Sequence, residues 1–583
     1  MPDERRRIGA LIRRLGWLSL ALVLLVGLAW LAGTALLAKR EVDAAQRNVE
    51  QLKTSVDSGD IEQASRQAQL LAGHAHRAHR LTTGPSWWLA AKLPWLGQPA
   101  VAVRGDANQL DGLSSGVLNP LVGVAGQLTA GSLFNNGTVQ LAPLATARPV
   151  IGAAQKQLAI TSAEVHALPT NTWLGPVNRG TARLQSQVTK LADQLDSVRQ
   201  ATDLLPQLLG ADRPQRYFVG LQNEAESRGL GGIPGAFAIV TTDHGRIRFE
   251  RFESDTALDK VRTNLRLSSE YSQRYGSADP ANTYANSTIS PDFTEAARIW
   301  AAMWQRASGE RIDGAIAIDP TAISYLLDVT GPATTSGGEP ITSDNVVPLT
   351  QKTLYQRFPD TNRRKAFLID IATGISHRLL AARGSPALIR AAVKGANQRR
   401  LLLWSADPGL EAQLRSTSLG GVLDPGQRPF VGFTTVNATG GKLDYYLHRS
   451  LTYQRSCSGL VHSTATFTLK NEVPPGRLPT YVTLRADRPR YPTRPGDNKV
   501  LVSYYVTPGA TITAVAVDGR PTIVAPGTEH GLTVFTLPLE LPAGSTRVLT
   551  VTADEPIRAG TVQVLKQPGV TAESVRMTGQ GCG

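Results

Sequence analysis

Residues 217–241 read Tyr217-Phe218-Val219-Gly220-Leu221-Gln222-Asn223-Glu224-Ala225-Glu226-Ser227-Arg228-Gly229-Leu230-Gly231-Gly232-Ile233-Pro234-Gly235-Ala236-Phe237-Ala238-Ile239-Val240-Thr241. The two ends of this stretch are apolar and suited to buried strands. Glycines clustered after a strand invite a dinucleotide-binding reading, but that motif opens a helix directly after its loop. Here a second strand follows. Residues 222–235 therefore read as a loop between strands, and nucleotide binding is set aside. The glycines still let backbone N–H groups come close to an anion.

Downstream, Ser290-Pro291 reads as a helix start, with Phe293, Ala297, Trp300 and Trp304 on one face. The helix ends near Gly309. A strand, Ile312–Ile318, follows, and Asp319-Pro320 caps a further helix that stops at Gly331. Helix, strand and helix with tight caps predict an α/β domain. From about 430 the texture changes to short Val/Thr/Tyr/Leu runs between Pro and Gly turns: 481–484, 500–506, 511–517, 532–537 and 546–552. This spacing predicts a β-sandwich.

Upstream, Val42, Val49, Leu52 and Val56 recur at helical spacing until Ser58-Gly59-Asp60. Ile61, Ala64, Ala68, Leu71, Ala75 and Ala78 then resume it, which predicts a helical hairpin. Trp87, Trp88 and Trp95 follow, either packed under the helices or dipping into a headgroup layer. His74, His76 and His79 read as solvated surface. Further helices are expected over 100–130 and 148–205.

Residues 15–38 carry no charge, and their length suits one membrane crossing. Arg5, Arg6, Arg7, Arg13 and Arg14 precede them, against Asp3 and Glu4. Basic flanks stay cytoplasmic, so the bulk of the chain is expected outside the cell membrane. A cleaved signal peptide is the competing reading, and the apolar run is long for one. The whole is thus read as multidomain α+β. It comprises a cytoplasmic tail (1–14), a transmembrane helix (15–38), a helical extracytoplasmic region (39–205), an α/β domain (206–428) and a β-sandwich (429–583).

The 583 residues carry 61 Lys and Arg against 47 Asp and Glu, a formal charge of +14. Such an excess raises nucleic acid as a partner, but the expected compartment argues against it. Seven basic and two acidic residues lie in 1–40, where they set topology. A net +8 falls within 357–400 and reads as a local basic patch. Cys457 and Cys582 are the two cysteines of an exported chain and are expected to pair. Such a bond closing about 125 residues would stabilise by roughly 4–5 kcal/mol on the chain-entropy model.

The order of charge-free run, hairpin, Gln222-Asn223-Glu224-x-Glu226-x-Arg228-Gly229-x-Gly231-Gly232 and Ile312-Asp313-Gly314-x-Ile316-Ala317-Ile318-Asp319-Pro320 resembles a bacterial, largely actinobacterial family, domain of unknown function four thousand and twelve. That resemblance implies architecture and setting rather than chemistry. Residues 216–385 are also similar in layout to the LytR-CpsA-Psr glycopolymer ligases, on Ser254-Asp255-Thr256, the helix–strand–helix order, and Leu349-Thr350 through Arg357, Asp360, Arg363 and Arg364. Those enzymes transfer polyprenyl-diphosphate-linked polymers to the cell wall, with arginines on the diphosphate and aspartates for magnesium and base work. Ser254 stands where that family has arginine, and Gly231-Gly232-Ile233-Pro234 where it has Arg-Ser-Asp-Thr. These departures bear on transfer more than on diphosphate binding.

The likeness implies that Arg228, Arg357, Arg363 and Arg364 bind the anion. It implies that Asp255, with Glu224 or Glu226, holds Mg²⁺ or acts as base. The competing account makes Glu226–Arg228 and Asp360–Arg363 ordinary surface pairs of roughly 0–1 kcal/mol each. The expected function is an envelope protein that binds or transfers a polyprenyl-diphosphate-linked glycan, with glycopolymer transferase-like activity as its enzymatic form. The alternative is a non-catalytic envelope scaffold.

Overall fold

The computed structural model describes residues 2–95, 97–126, 133–458, 460–556 and 560–579, side chains at 2–24, 57, 197, 386, 457, 458 and 460 excepted. The chain divides into two compact units, residues 1–133 with 140–206 and residues 134–139 with 207–583.

The first unit is helical. Its first helix runs Pro2–Ser58 and ends at the Ser58-Gly59-Asp60 break. Asp60 then caps Ile61–Thr82 by accepting from Gln63 N. Ala64, Ala68, Ala75 and Ala78 of that helix are buried, and their size allows close packing onto the first helix around Ala45 and Leu52. The hairpin is also locked by charge. Glu41 accepts from His74 Nδ1 at 2.6 Å and from Arg77 at 2.9 Å. His74 is therefore not the solvated residue expected. The hydrogen bond from His74, reinforced by Arg77, holds the Glu41 carboxyl below its usual range. Helices Leu141–His166 and Gly175–Leu208 build a separate core around Ile151, Leu158 and Val188.

Among the described residues no helix is long and apolar enough to cross a membrane. Residues 15–24 of the run expected to span lie outside the described side chains. In its remaining part the helix is continuous, and Leu25, Val26, Leu28, Trp30 and Leu36 are 61–66% exposed.

The second unit joins a mixed sheet to a sandwich. Its strands are β1 (Phe134–Asn135), β2 (Thr138–Val139), β3 (Gln215–Arg228), β4 (Gly231–Asp243), β5 (Arg246–Ser254), β6 (Gly314–Ile318), a small ribbon of β7 (Ala333–Thr334) and β8 (Pro340–Ile341), and β9 (Leu401–Ser405). Among the described residues the mixed sheet has the order β1-β2-β5-β4-β3-β6-β9. β3 and β6 are parallel, Tyr217 opposite Gly314, while β3 and β4 form a hairpin. The segment expected as a loop is thus mostly strand. β3 reaches Arg228 through two irregularities in register, leaving only Gly229 and Leu230 to turn.

One face of this sheet packs on the helix Phe293–Ser308, whose Trp300 and Trp304 meet Phe218 and Phe237. The approach is close enough that a Cβ on Gly220 would lie 2.4 Å from the Trp300 ring. The other face is covered by the helix Thr361–Ala381.

The sandwich uses β10 (Phe430–Asn437), β11 (Leu447–Ser458), β12 (Leu460–Asn471), β13 (Asn498–Val506), β14 (Thr511–Val517), β15 (Arg520–Pro521), β16 (Gly527–Glu529), β17 (Leu532–Leu541), β18 (Thr546–Glu555), β19 (Gln563–Lys566) and β20 (Ser574–Thr578). They form a β16-β17-β13-β10-β19 sheet facing a β15-β14-β18-β12-β11-β20 sheet. Val431, Phe433 and Val502 of one meet Leu451, Phe467 and Val551 of the other in a common core. Residues 481–484, expected as a strand, form a turn instead. The expected Cys457–Cys582 bond lies outside the described residues.

Gly220→Ala should destabilise the protein by about 1–3 kcal/mol, because the added methyl forces Trp300 out of a filled core. Urea unfolding checks this; an unchanged midpoint would remove the packing argument.

Candidate functional site

Alternation along β3 sends Phe218 and Gly220 to the Trp300 side and Val219 and Leu221 to the opposite face. There Ala236 and Ala238 of β4, Phe249 and Phe252 of β5, and Ile318 of β6 continue an apolar floor. Leu368, Ile371, Ala372, Ile375 and Leu379 recur at helical spacing and form the roof. The small residues Gly235, Ala236, Ala238 and Ala372 leave a space of about 150 Å³ within a cleft of about 950 Å³ that is partly open to solvent. An apolar space of that size favours hydrocarbon over water.

Most of the few polar groups along the cleft are occupied, while Gln351 Oε1 is buried without a partner. Thr350 Oγ1 donates to Val346 O, Ser376 Oγ to Thr373 O, and Asn223 Nδ2 to Tyr355 Oη at 2.6 Å. Gln222 Oε1 accepts from Gly232 N, and Gln351 Nε2 donates to Glu224. Outside the lining, Asp255 lies three residues beyond Phe252 and Lys365 three residues before Leu368, and the two pair at 2.7 Å. Both are only partly screened from solvent, 24% and 19% exposed.

The other expected site residues are held elsewhere. Glu224 is buried against Arg400 at 3.2 Å, and Arg400 also binds Asp319 at 2.6 Å and donates to Gly569 O at 2.8 Å. Burial, followed by the charge of Asp319, pushes the Glu224 carboxyl well above its usual range. Glu226 is buried between Arg228, at 3.0 Å, and Lys442. Burial alone would raise its pKa, but Lys442 and Arg228 outweigh that and hold it below the usual value. The neighbouring Ser227 donates through N and Oγ to Asp444 Oδ2, each at 2.8 Å. Asp444 also accepts from Asn437 and Asn498 of the sandwich. Gln567 Nε2 donates to Arg228 O, while Gln567 Oε1 accepts from Thr435 and Arg449.

The charged turn is therefore neither an open anion loop nor a surface pair. It is the tip of the β3–β4 hairpin inserted into the sandwich. Asp255, expected to hold magnesium or act as base with Glu224 or Glu226, meets neither, and each of the three carboxyl groups faces a different cation. Among the described residues no three His, Cys, Asp or Glu side chains are grouped to hold a metal.

Nor do the four arginines converge. Arg228 also donates to Ala285 O and Ser227 O. Arg357 grips both Glu339 oxygens, at 2.6 and 2.9 Å. Arg364 is buried, bonded to Phe358 O and Thr361 Oγ1, and stacked 4.0 Å over the Tyr481 ring. Arg363 remains exposed in the first turn of the roof helix, its N–H donated to Asp360. The basic patch read in 357–400 is likewise dispersed, since Arg364, Arg399 and Arg400 point inward to carbonyls and carboxylates. Arg400, Lys442, Asp444 and Gln567, which complete the junction, carry no local sequence signal because their partners lie 170–340 residues away in several cases.

The two glutamates predict opposite pH behaviour. Glu224 contributes fully below the free value of 4.5, and its share is lost as pH rises through its elevated native pKa. Glu226 contributes above its unfolded value and loses that share as pH falls through its depressed native pKa. Glu224→Gln should therefore remove the loss of stability that the wild type shows as pH rises from acid through that elevated value. Glu226→Gln leaves Arg228 and Lys442 uncompensated and should cost about 3–5 kcal/mol at neutral pH. Denaturant unfolding across pH checks both; equal losses in the two variants would contradict the assignment.

Comparison with known proteins adds a family. No curated protein matches the chain. Among solved structures, a putative nutrient binding protein from Legionella pneumophila aligns at 7% identity and a TM-score of 0.14, covering 22% of this chain and 43% of that one. The Lin1025 protein from Listeria innocua aligns at 10% identity and a TM-score of 0.19, covering 37% of this chain and 84% of that one. The chain thus spans less than half of the Legionella protein. One family model, described as a protein of unknown function (DUF4012), matches residues 212–355, from just before β3 to the start of the segment leading into the roof helix. The stretch that builds the hairpin, the floor of the cleft and Asp255 is the part that matches the DUF4012 family model.

Proposed function

We propose that this chain is a single-pass, membrane-anchored protein of the cell envelope whose α/β domain holds the apolar tail of a lipid-linked glycan. The observation that carries the reading is the cleft between β3–β6 and the helix Thr361–Ala381, lined almost throughout by Val, Leu, Ile, Phe and Ala. Such a lining, apolar over most of its surface and without a charged side chain among the described residues, favours a ligand that brings hydrocarbon. The anchor is supported by the charge-free run 15–38, its arginine-rich flank, and the exposed apolar side chains at 25–36.

A charged headgroup fits at the Asp255–Lys365 pair. A phosphate there competes with Asp255 for Lys365. Transfer would require release of Asp255 from Lys365, with which it pairs at 2.7 Å. Holding the lipid is accordingly the primary role. The scaffold reading is favoured by one separate observation, the buried junction at Glu226 and Asp444, which commits the charged motif to architecture.

Ala372→Trp fills the cleft from its roof and should weaken binding of a long-chain polyprenyl diphosphate by about tenfold or more, equivalent to about 1.4 kcal/mol. Lys365→Ala should weaken the diphosphate while leaving the matching polyprenol unaffected. Titration calorimetry on the detergent-solubilised full chain reads both effects. Equal affinity of wild type and Ala372→Trp would leave the scaffold reading standing in its place.

A further inference from the structure

The segment 85–95 presents an apolar surface that the helical unit leaves uncovered. In the helix Pro85–Lys92, Trp87 turns inward, 4% exposed, and donates its indole N–H to Thr34 Oγ1 at 2.9 Å. Its neighbours turn outward: Trp88 is 51% exposed, Leu89 60%, Leu93 54% and Trp95 71%. The three tryptophans read together from sequence thus divide, one packed under the first helix and two facing solvent.

The bond to Thr34 fixes the level at which this surface sits. Thr34 lies four residues inside the outer end of the charge-free run, or about 6 Å along the helix axis. The uncovered Trp and Leu side chains are therefore strapped beside the last turn of the run, where Leu36 and Leu37 are also exposed. If the run spans, that depth is the boundary between acyl chains and headgroups, the zone in which the amphipathic indole ring is most stable. Charge agrees with the level. Lys39, Arg40 and Lys92 are exposed at the same end, and Lys92 Nζ lies 5.7 Å from the Trp88 ring centre. Cations placed there meet anionic headgroups as the indoles enter the acyl boundary.

We infer that residues 85–95 form an interfacial element that seats in the headgroup layer of an anionic phospholipid bilayer, with Trp88 and Trp95 as its anchors. The inference rests on the membrane reading of residues 15–38 and adds to it a second, lateral attachment. Two attachments fix the rotation of the first helix about its axis, and with it the orientation of the helical hairpin on the membrane. A single span leaves that rotation free.

The test uses the full chain reconstituted into vesicles of equal parts phosphatidylcholine and phosphatidylglycerol. Flotation reports the span, and quenching of tryptophan emission by lipids brominated close to the headgroup reports the interfacial element. The expected result is that wild type floats and is quenched, whereas Trp88→Phe/Trp95→Phe floats equally and loses most of the shallow quenching. Both substitutions are at exposed positions and preserve an apolar ring, so folding is retained; circular dichroism verifies this. Flotation with undiminished quenching in the double variant overturns the inference while the span stands. Failure of the wild type to float overturns both.

Discussion

Glu226, enclosed by Arg228 and Lys442, is the contact on which the second unit depends. A carboxylate in so dry a setting is tolerated only when its charge is met, and its loss would leave two cations uncompensated inside the protein. Because Arg228 belongs to β3 and Lys442 to the segment between β10 and β11, meeting that demand brings the mixed sheet and the sandwich together. Asp444, Gln567 and Arg400 extend the same solution outward, each satisfying groups from both sides of the junction. An apolar joint of equal area would hold as well, but it would accept several registers. Directional bonds to Ser227 N, Arg228 O and Gly569 O accept one.

That junction also determines what the cleft can be. With the charged end of β3 committed to the sandwich, the face beyond the bulge at Leu221 and Gln222 has no free ions to offer a ligand. What remains is hydrocarbon, and a single ion pair, Asp255–Lys365, outside the lining. Under the proposed function, the site would separate two tasks, burial of an apolar chain along β3–β6 and recognition of a charged group at the edge. The physical reason is dielectric: charge is stable at the edge, where water still screens it, and costly within the cleft.

Much of the architecture was legible in local pattern. The break at Ser58-Gly59-Asp60, the alanine stripe of the second helix, the cap at Asp319 and the strands at 500–506 and 546–552 all arise from spacing and turn chemistry within a few residues. The site was less legible. Leu368, Ile371, Ala372, Ile375 and Leu379 carry a plain helical stripe, but the surrounding arginines drew attention to charge instead of to the roof they interrupt. Glycines around Arg228 read as an open anion loop because clustered glycine permits close approach to a ligand. Here it permits close approach of other backbone: a Cβ at Gly232 would lie 2.3 Å from Asn223, and one at Gly229 2.2 Å from the Ile289 carbonyl.

The sequence by itself determined the kinds of element and their order, since helix period, strand alternation and capping depend on neighbours along the chain. It also determined that one end of the molecule carries a charge-free run flanked by arginine. Only the tertiary structure decided which charges are spent and which are available. Lys442 lies 216 residues from Glu226, and Gln567 lies 339 from Arg228. A side chain's partner at that distance is chosen by how sheets and helices pack, and the chemistry of a carboxylate or guanidinium is set by its partner.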